Sequence, residues 1–123
     1  MRLDAPIQCL FRRATRDTEI GGVAVPSGTI VQLMWGGANR DPAIFENSDG
    51  FDPARPNARR HVAFSFGPHV CVGNQLARGE LRIGFNLLLR RMKNFRLLKE
   101  PEYFSHPFAY GVTALHVGFE HAA

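Results

Sequence analysis

Phe64-Ser65-Phe66-Gly67-Pro68-His69-Val70-Cys71-Val72-Gly73 is the stretch on which the reading of this chain turns. A lone cysteine sits between two glycines, with an aromatic seven residues upstream and a long apolar segment downstream. Each choice is explained if the Cys71 sulfur is a metal ligand. The thiolate is the ligating form, and a helix N-terminus favours negative charge, so a cysteine there is expected to ionise readily. Gly67 takes backbone angles closed to other residues and turns the chain sharply, while Gly73 lets something broad and flat approach the backbone. Phe64 and Phe66 are placed to keep water off the sulfur, a control that tunes a bound metal. His69, two residues before the ligand, is in reach of an acidic edge of whatever is bound.

The segment that follows, residues 74 to 93, reads as one long helix. Ala77, Leu81, Phe85, Leu88 and Met92 form a stripe at helical spacing, widened by Ile83, Leu87 and Leu89. Arg90, Arg91 and Lys93 in the last turn suit the helix dipole. The stripe reads as a core face, and its width calls for partners on several sides.

Upstream, Thr18-Glu19-Ile20, Val23-Ala24-Val25 and Thr29 to Met34 are β-prone runs separated by Gly21-Gly22 and Pro26-Ser27-Gly28, predicting two or three antiparallel strands. Asp4-Ala5-Pro6 reads as a helix ending with an extended exit. Residues 36 to 60 are rich in Gly, Asn, Asp and Pro, and Ala38-Asn39-Arg40-Asp41-Pro42 suits the capping of one short helix. After the long helix the pattern predicts a strand over Phe95 to Leu98, a loop over Pro101 to Tyr110 and a strand over Thr113 to Glu120. No repeat and no low-complexity segment interrupts the chain.

At 123 residues this is one small domain or a piece of a larger one. A hydrophobic content of 45% with ten Phe argues for a core and against disorder. The net charge of +4 comes from dispersed Lys and Arg. No basic run is interleaved with stacking aromatics, so nucleic acid is not an expected partner. Cys9 and Cys71 form at most one bridge, and without a leader segment a reduced, cytoplasmic setting is expected. No apolar run reaches about eighteen residues, so no membrane span is expected. A zinc site from Cys9, His61, His69 and Cys71 is a weaker metal reading, because only His69-X-Cys71 offers ligands at short spacing.

The loop from Phe64 to Gly73 resembles the cysteine-ligand loop of the cytochrome P-450 family, the haem-thiolate monooxygenases. The continuation Leu76-Ala77-Arg78-Gly79-Glu80-Leu81 is similar to the family's helix after the cysteine. Phe51-Asp52-Pro53-Ala54-Arg55 is similar to its aromatic-X-Pro-X-Arg signature, and Arg2 falls on the Arg of its Glu-X-X-Arg signature. Arg12-Arg13-Ala14-Thr15-Arg16-Asp17-Thr18-Glu19-Ile20-Gly21-Gly22 looks like the strand and hairpin of bacterial members.

The resemblance implies an α+β fragment of the mainly-α P-450 fold: small antiparallel β units, a meander with the cysteine loop, and one long helix. Residues 1–123 would form its C-terminal, cysteine-ligand portion, without the distal N-terminal portion. It further implies haem b as the cofactor, Cys71 as the axial metal ligand, and Arg12 and His69 as propionate anchors. Phe64, Gly67 and Gly73 would shape that cofactor site, and Phe108, Ala109 and Tyr110 would be a remnant of the substrate lining. Arg2 and Arg55 would meet without the carboxylate that joins them in the family, so the network must loosen, hydrate or borrow an acid such as Asp4 or Glu46. The family's acid and alcohol that deliver protons to dioxygen lie on a helix not found in this sequence. No catalytic residue is therefore assigned, and the chain is not expected to run a controlled monooxygenation alone. By resemblance a redox partner, an acidic ferredoxin or a flavoprotein, would meet a basic patch of Arg59, Arg60, Arg78 and Arg82. The competing expectation is a non-enzymatic remnant that forms a homo-oligomer or complements an N-terminal fragment, without haem.

Overall fold

The computed structural model describes residues 1–122, with Ser105 described by its backbone alone. The chain forms two compact units, Met1–Ala63 with His106–Tyr110, and Phe64–Ser105 with the residues from Gly111 on.

The first unit is built on short strands. β1 (Leu10–Arg13) pairs antiparallel with β4 (Ile30–Leu33), in a register that sets Arg12 opposite Val31. Between them β2 (Thr18–Ile20) and β3 (Val23–Val25) form a hairpin. Its two-residue turn is Gly21-Gly22, with φ of 58° and 81°. A tight hairpin demands positive φ at both central positions, and glycine meets that demand without steric cost. The antiparallel strands expected between residues 15 and 40 are present, and β1 extends the arrangement upstream.

The segment His106–Tyr110 returns alongside residues 6 to 8. Gln8 N–H donates to the Phe108 carbonyl at 2.8 Å and Tyr110 N–H to the Pro6 carbonyl at 2.7 Å. The Phe108 ring stands edge-on to Phe11, with centroids 5.1 Å apart.

The buried apolar core of the described residues is small: Ala5, Cys9 and Phe45. Two polar residues are buried with them, Arg2 at 9% exposure and Asn39 at 0%. Asn39 ends the short helix α1 (Trp35–Ala38). Its Oδ1 accepts the Val62 N–H at 2.7 Å, and its carbonyl accepts an Arg2 Nη1–H at 2.8 Å. The short helix that Ala38-Asn39-Arg40-Asp41-Pro42 was expected to cap is α1, which ends on Asn39 as its C-cap.

Arg2 also donates to the carbonyls of Ser48 and Gly50, and its guanidinium lies 4.9 Å from the Phe45 ring centroid. Arg55 donates to the carbonyls of Glu46 and Asn47. Two arginines therefore organise the irregular stretch from 46 to 50 through backbone oxygens, which answers how such a loop satisfies its carbonyls. The expected borrowing of an acid takes another form. Asp49 and Asp4 pair with Arg40, at 2.6 and 3.7 Å, and Glu46 contributes its carbonyl to Arg55. Burial, then the charges of Arg55 and Arg40, push the Arg2 guanidinium below its usual range, with Asp49 opposing. No helix precedes Pro6, contrary to the reading of Asp4-Ala5-Pro6. Arg2 is instead drawn into the core, where its guanidinium donates to backbone carbonyls.

In the second unit, α2 (Asn74–Arg91) carries Arg90 and Arg91 in its last turn. It passes into β5 (Met92–Leu97), which pairs antiparallel with β8 (Val117–His121), with an irregularity between Lys93 and Arg96. β6 (Glu102–Ser105) pairs with β7 (Tyr110–Ala114). Two expectations are corrected here. The stretch bracketed by Pro101 and Pro107 holds a strand where a loop was expected. The single strand expected over Thr113 to Glu120 is two, because the His116 carbonyl turns to accept the Leu98 N–H at 2.9 Å. The apolar stripe of α2 is also not a core face within this chain. No residue of the helix is buried, and Phe85 and Leu89 are 58% and 65% exposed.

Asn39→Ala tests the role given to the buried amide. Losing the partner of the Val62 N–H, offset in part by removing the unpaired Nδ2, is expected to destabilise the chain by about 1 kcal/mol. The check is a lower urea midpoint at unchanged slope.

Candidate cofactor site

The site is a loop folded back onto its own start. Cys71 N–H donates to the Phe64 carbonyl at 2.9 Å, and Val70 N–H to the Gly67 carbonyl at 3.0 Å. Between these contacts the chain turns through Ser65 at φ 65° and Gly67 at φ 68°, then makes one 3₁₀ turn over Gly67–His69. Gly67 adopts the left-handed conformation for which it was singled out. Ser65 does so as well, which the sequence did not signal, and its buried Oγ has no hydrogen-bond partner.

After Cys71 the chain enters α2 through Gly73 as N-cap. The Cys71 carbonyl accepts from Asn74 twice, from the backbone N–H at 3.2 Å and from the side-chain Nδ2 at 2.6 Å. Both backbone polar groups of Cys71 are thereby paired within the chain, and its thiol is left exposed. A β-carbon added at Gly73 would lie 3.9 Å from the Cys71 sulfur. That is ordinary contact distance, so any side chain at 73 would occupy space beside the sulfur.

Phe64, Gly67, His69, Cys71 and Gly73 are thus brought into one loop of the second unit. His69 is exposed at the end of the 3₁₀ turn. Arg12 belongs to the first unit, half-buried in β1, with Nη1 donating to the Phe11 carbonyl at 2.8 Å. The shielding expected of the phenylalanines is not met within this chain. The Phe66 ring is 79% exposed, and Val70, Val72 and Leu76 are exposed as well. Phe64 instead lies beneath Arg78, whose guanidinium carbon is 5.0 Å from the ring centroid. Sequence reasoning missed that pairing, because it placed Arg78 with exposed charges.

These features fit a flat, largely apolar group held by the sulfur: an accessible thiol, no side chain at 73, and bare apolar residues around both. They do not fit zinc. Among the described residues no three His, Cys, Asp or Glu side chains come together to hold a metal, and Cys9 is 1% exposed and accepts from Gln32 Nε2 at 2.9 Å. Both cysteines are free. No described helix is long and apolar enough to cross a membrane.

Comparison with known proteins bears on the family of the chain. The family model described as Cytochrome P450 matches residues 1–111. Linalool 8-monooxygenase of Pseudomonas putida is 39% identical over 117 residues, covering 95% of this chain and 29% of that protein. The biotin biosynthesis cytochrome P450 of Bacillus subtilis is 46% identical over 98 residues, covering 79% of this chain and 24% of that protein. Among solved structures, P450BioI in complex with a fatty-acid-ligated acyl carrier protein superposes with a TM-score of 0.91 at 42% identity, covering 97% of this chain and 31% of that one. Cytochrome P450-153 from Novosphingobium aromaticivorans superposes at 0.90 with 41% identity, covering 97% and 30%.

The fold is that of part of a cytochrome P450, an α+β fragment with small antiparallel sheets and one long helix. The chain belongs to the cytochrome P450 family. It spans about a quarter to a third of the length of these relatives.

The two thiols should separate cleanly by reactivity. A bulky aromatic disulfide reagent is expected to modify one thiol of the native chain quickly and the other only after denaturant. Cys71→Ser should abolish the fast phase and Cys9→Ser should leave it. Two fast thiols in the native protein would contradict the burial of Cys9.

Proposed function

We propose that residues 1–123 are the C-terminal, cysteine-ligand portion of a cytochrome P450 and bind haem b through the Cys71 thiolate. The observation that carries this reading is the exposed Cys71 sulfur beside a position with no side chain, on a residue whose own backbone N–H and carbonyl are both paired. Arg12 and His69 would anchor the propionates, because a guanidinium suits a carboxylate bidentately and an imidazole N–H donates to one. Phe64, Gly67 and Gly73 would shape the pocket wall. When bound, haem supplies the oxygen chemistry of the family, with a thiolate ligand favouring O–O cleavage.

What the chain's own residues do is narrower. Cys71 offers one ligand, and Gly73 leaves its approach open. The protein's share of cofactor catalysis is positioning and the exclusion of side reactions. Among the described residues α2 is the one helix longer than a turn, and it carries no acid and alcohol facing a cofactor pocket. We therefore assign no catalytic residue and infer that the chain does not sustain monooxygenation alone. A redox partner of acidic character, a ferredoxin or a flavoprotein, would meet the exposed Arg59, Arg60, Arg78 and Arg82. A reduced, cytoplasmic setting agrees with the two free thiols.

The reduced, carbon monoxide-bound spectrum tests the ligand. The haemin-loaded chain is expected to show the red-shifted thiolate Soret band, and Cys71→Ala to lose it. A band that survives the substitution would defeat the assignment.

A second reading rests on a separate observation, the exposed apolar side chains of α2, Leu76, Ile83, Phe85, Leu87 and Leu89. At helical spacing Leu76, Ile83 and Leu87 lie on one face of α2 and Phe85 and Leu89 on the opposite one, and apolar side chains exposed on two faces of a helix call for partners. We infer that the chain self-associates or takes a complementing N-terminal fragment. Light scattering across micromolar concentrations is expected to show a mass above 13.7 kDa that falls on dilution. A monomer at every concentration would remove the homo-oligomer.

A further inference from the structure

The backbone hydrogen bond that spans the cysteine loop ends on Phe64, and so does a contact from the helix beyond it. Cys71 N–H donates to the Phe64 carbonyl, and Arg78, in the second turn of α2, lays its guanidinium over the Phe64 ring. Phe64 is half-buried, whereas the Phe66 ring two residues on is mostly exposed. The aromatic that is held is the one beneath the cation.

We propose that Arg78 is a positioning residue for the Cys71 loop. By stacking on Phe64 it ties the loop's first residue to the helix that the loop leads into, and so fixes where the sulfur stands relative to the start of α2. The turns at Ser65 and Gly67 lie between the tied residue and the cysteine. If Phe64 is released, the carbonyl that receives the Cys71 N–H moves with it. This role separates Arg78 from the exposed Arg59, Arg60 and Arg82. It deepens the reading of Cys71 as the haem ligand, but its primary test needs no haem.

The readout is native-state hydrogen exchange at the Cys71 amide in the full chain. A cation over an aromatic face at a partly exposed site shifts an equilibrium by about two- to five-fold. Arg78→Met is therefore expected to accelerate exchange at Cys71 by about that factor, leaving the amides of Leu88 and Leu89 unchanged. Phe64→Leu should do the same, and the double variant should add nothing further. Arg78→Lys, which keeps the charge but not the plane, should recover part of the protection and guards against a poorly folded Met variant. Arg82→Met should have no effect. Unchanged exchange at Cys71 in Arg78→Met, equal acceleration along all of α2, or additive effects in the double variant would each overturn the proposal.

A second arm uses the haemin-loaded protein, where Arg78→Met should lower the share of the carbon monoxide complex showing the red-shifted band. If the wild-type chain shows no such band, the ligand reading fails, while the exchange arm still decides the role of Arg78.

Discussion

The hydrogen bond from the Cys71 amide to the Phe64 carbonyl is the constraint on which the site depends. It closes a loop that contains a serine in the left-handed region, a conformation that costs a residue with a β-carbon about 1 kcal/mol or more. Such a turn persists only where its surroundings hold it. Here the holding groups are the Cys71 amide on one side and the double acceptance of Asn74 by the Cys71 carbonyl on the other. Both polar backbone groups of Cys71 are engaged within the chain, which leaves the side chain as the part of the residue free to meet something else. The same geometry explains the glycine at 73, where a side chain would stand beside the sulfur.

A second constraint is the imbalance between apolar surface and core. The described chain buries Ala5, Cys9 and Phe45 fully, while α2 buries nothing. Apolar surface removed from water stabilises by about 25 cal/mol per Å², and α2 forgoes much of that gain within this chain. Its breadth of apolar character makes sense for a helix surrounded in a larger assembly. A chain spanning about a quarter to a third of its relatives' length agrees with that. The first unit solves its own problem differently. It spends two arginines on backbone carbonyls, so that an irregular stretch without strands is ordered by Arg2 and Arg55.

Much of this was legible in the sequence because local chemistry dictated it. Gly21-Gly22 admits a tight hairpin, Gly67 admits the sharp turn before Cys71, and the stripe from Ala77 to Met92 fits a helix. What escaped has physical reasons too. Ser65 carries no mark of its left-handed backbone, which is imposed by loop closure. Glu102 to Ser105 is a strand only through its pairing with β7, and flanking prolines disguised it. The break between β7 and β8 at Leu115-His116 follows from one carbonyl turning to Leu98, with no glycine or proline to announce it. The stripe was read as core because periodicity reports which face wants burial, not whether this chain supplies the cover. The fates of Arg2 and Arg55 were misjudged because the sequence shows which charges exist and not which carbonyls reach them.

Iron-edge X-ray absorption on the haemin-loaded chain tests the central claim most directly, since it reports the atoms bound to the metal. The account predicts a sulfur neighbour in the iron's coordination shell that disappears in Cys71→Ser. A shell of nitrogen and oxygen alone in the wild-type protein would contradict it.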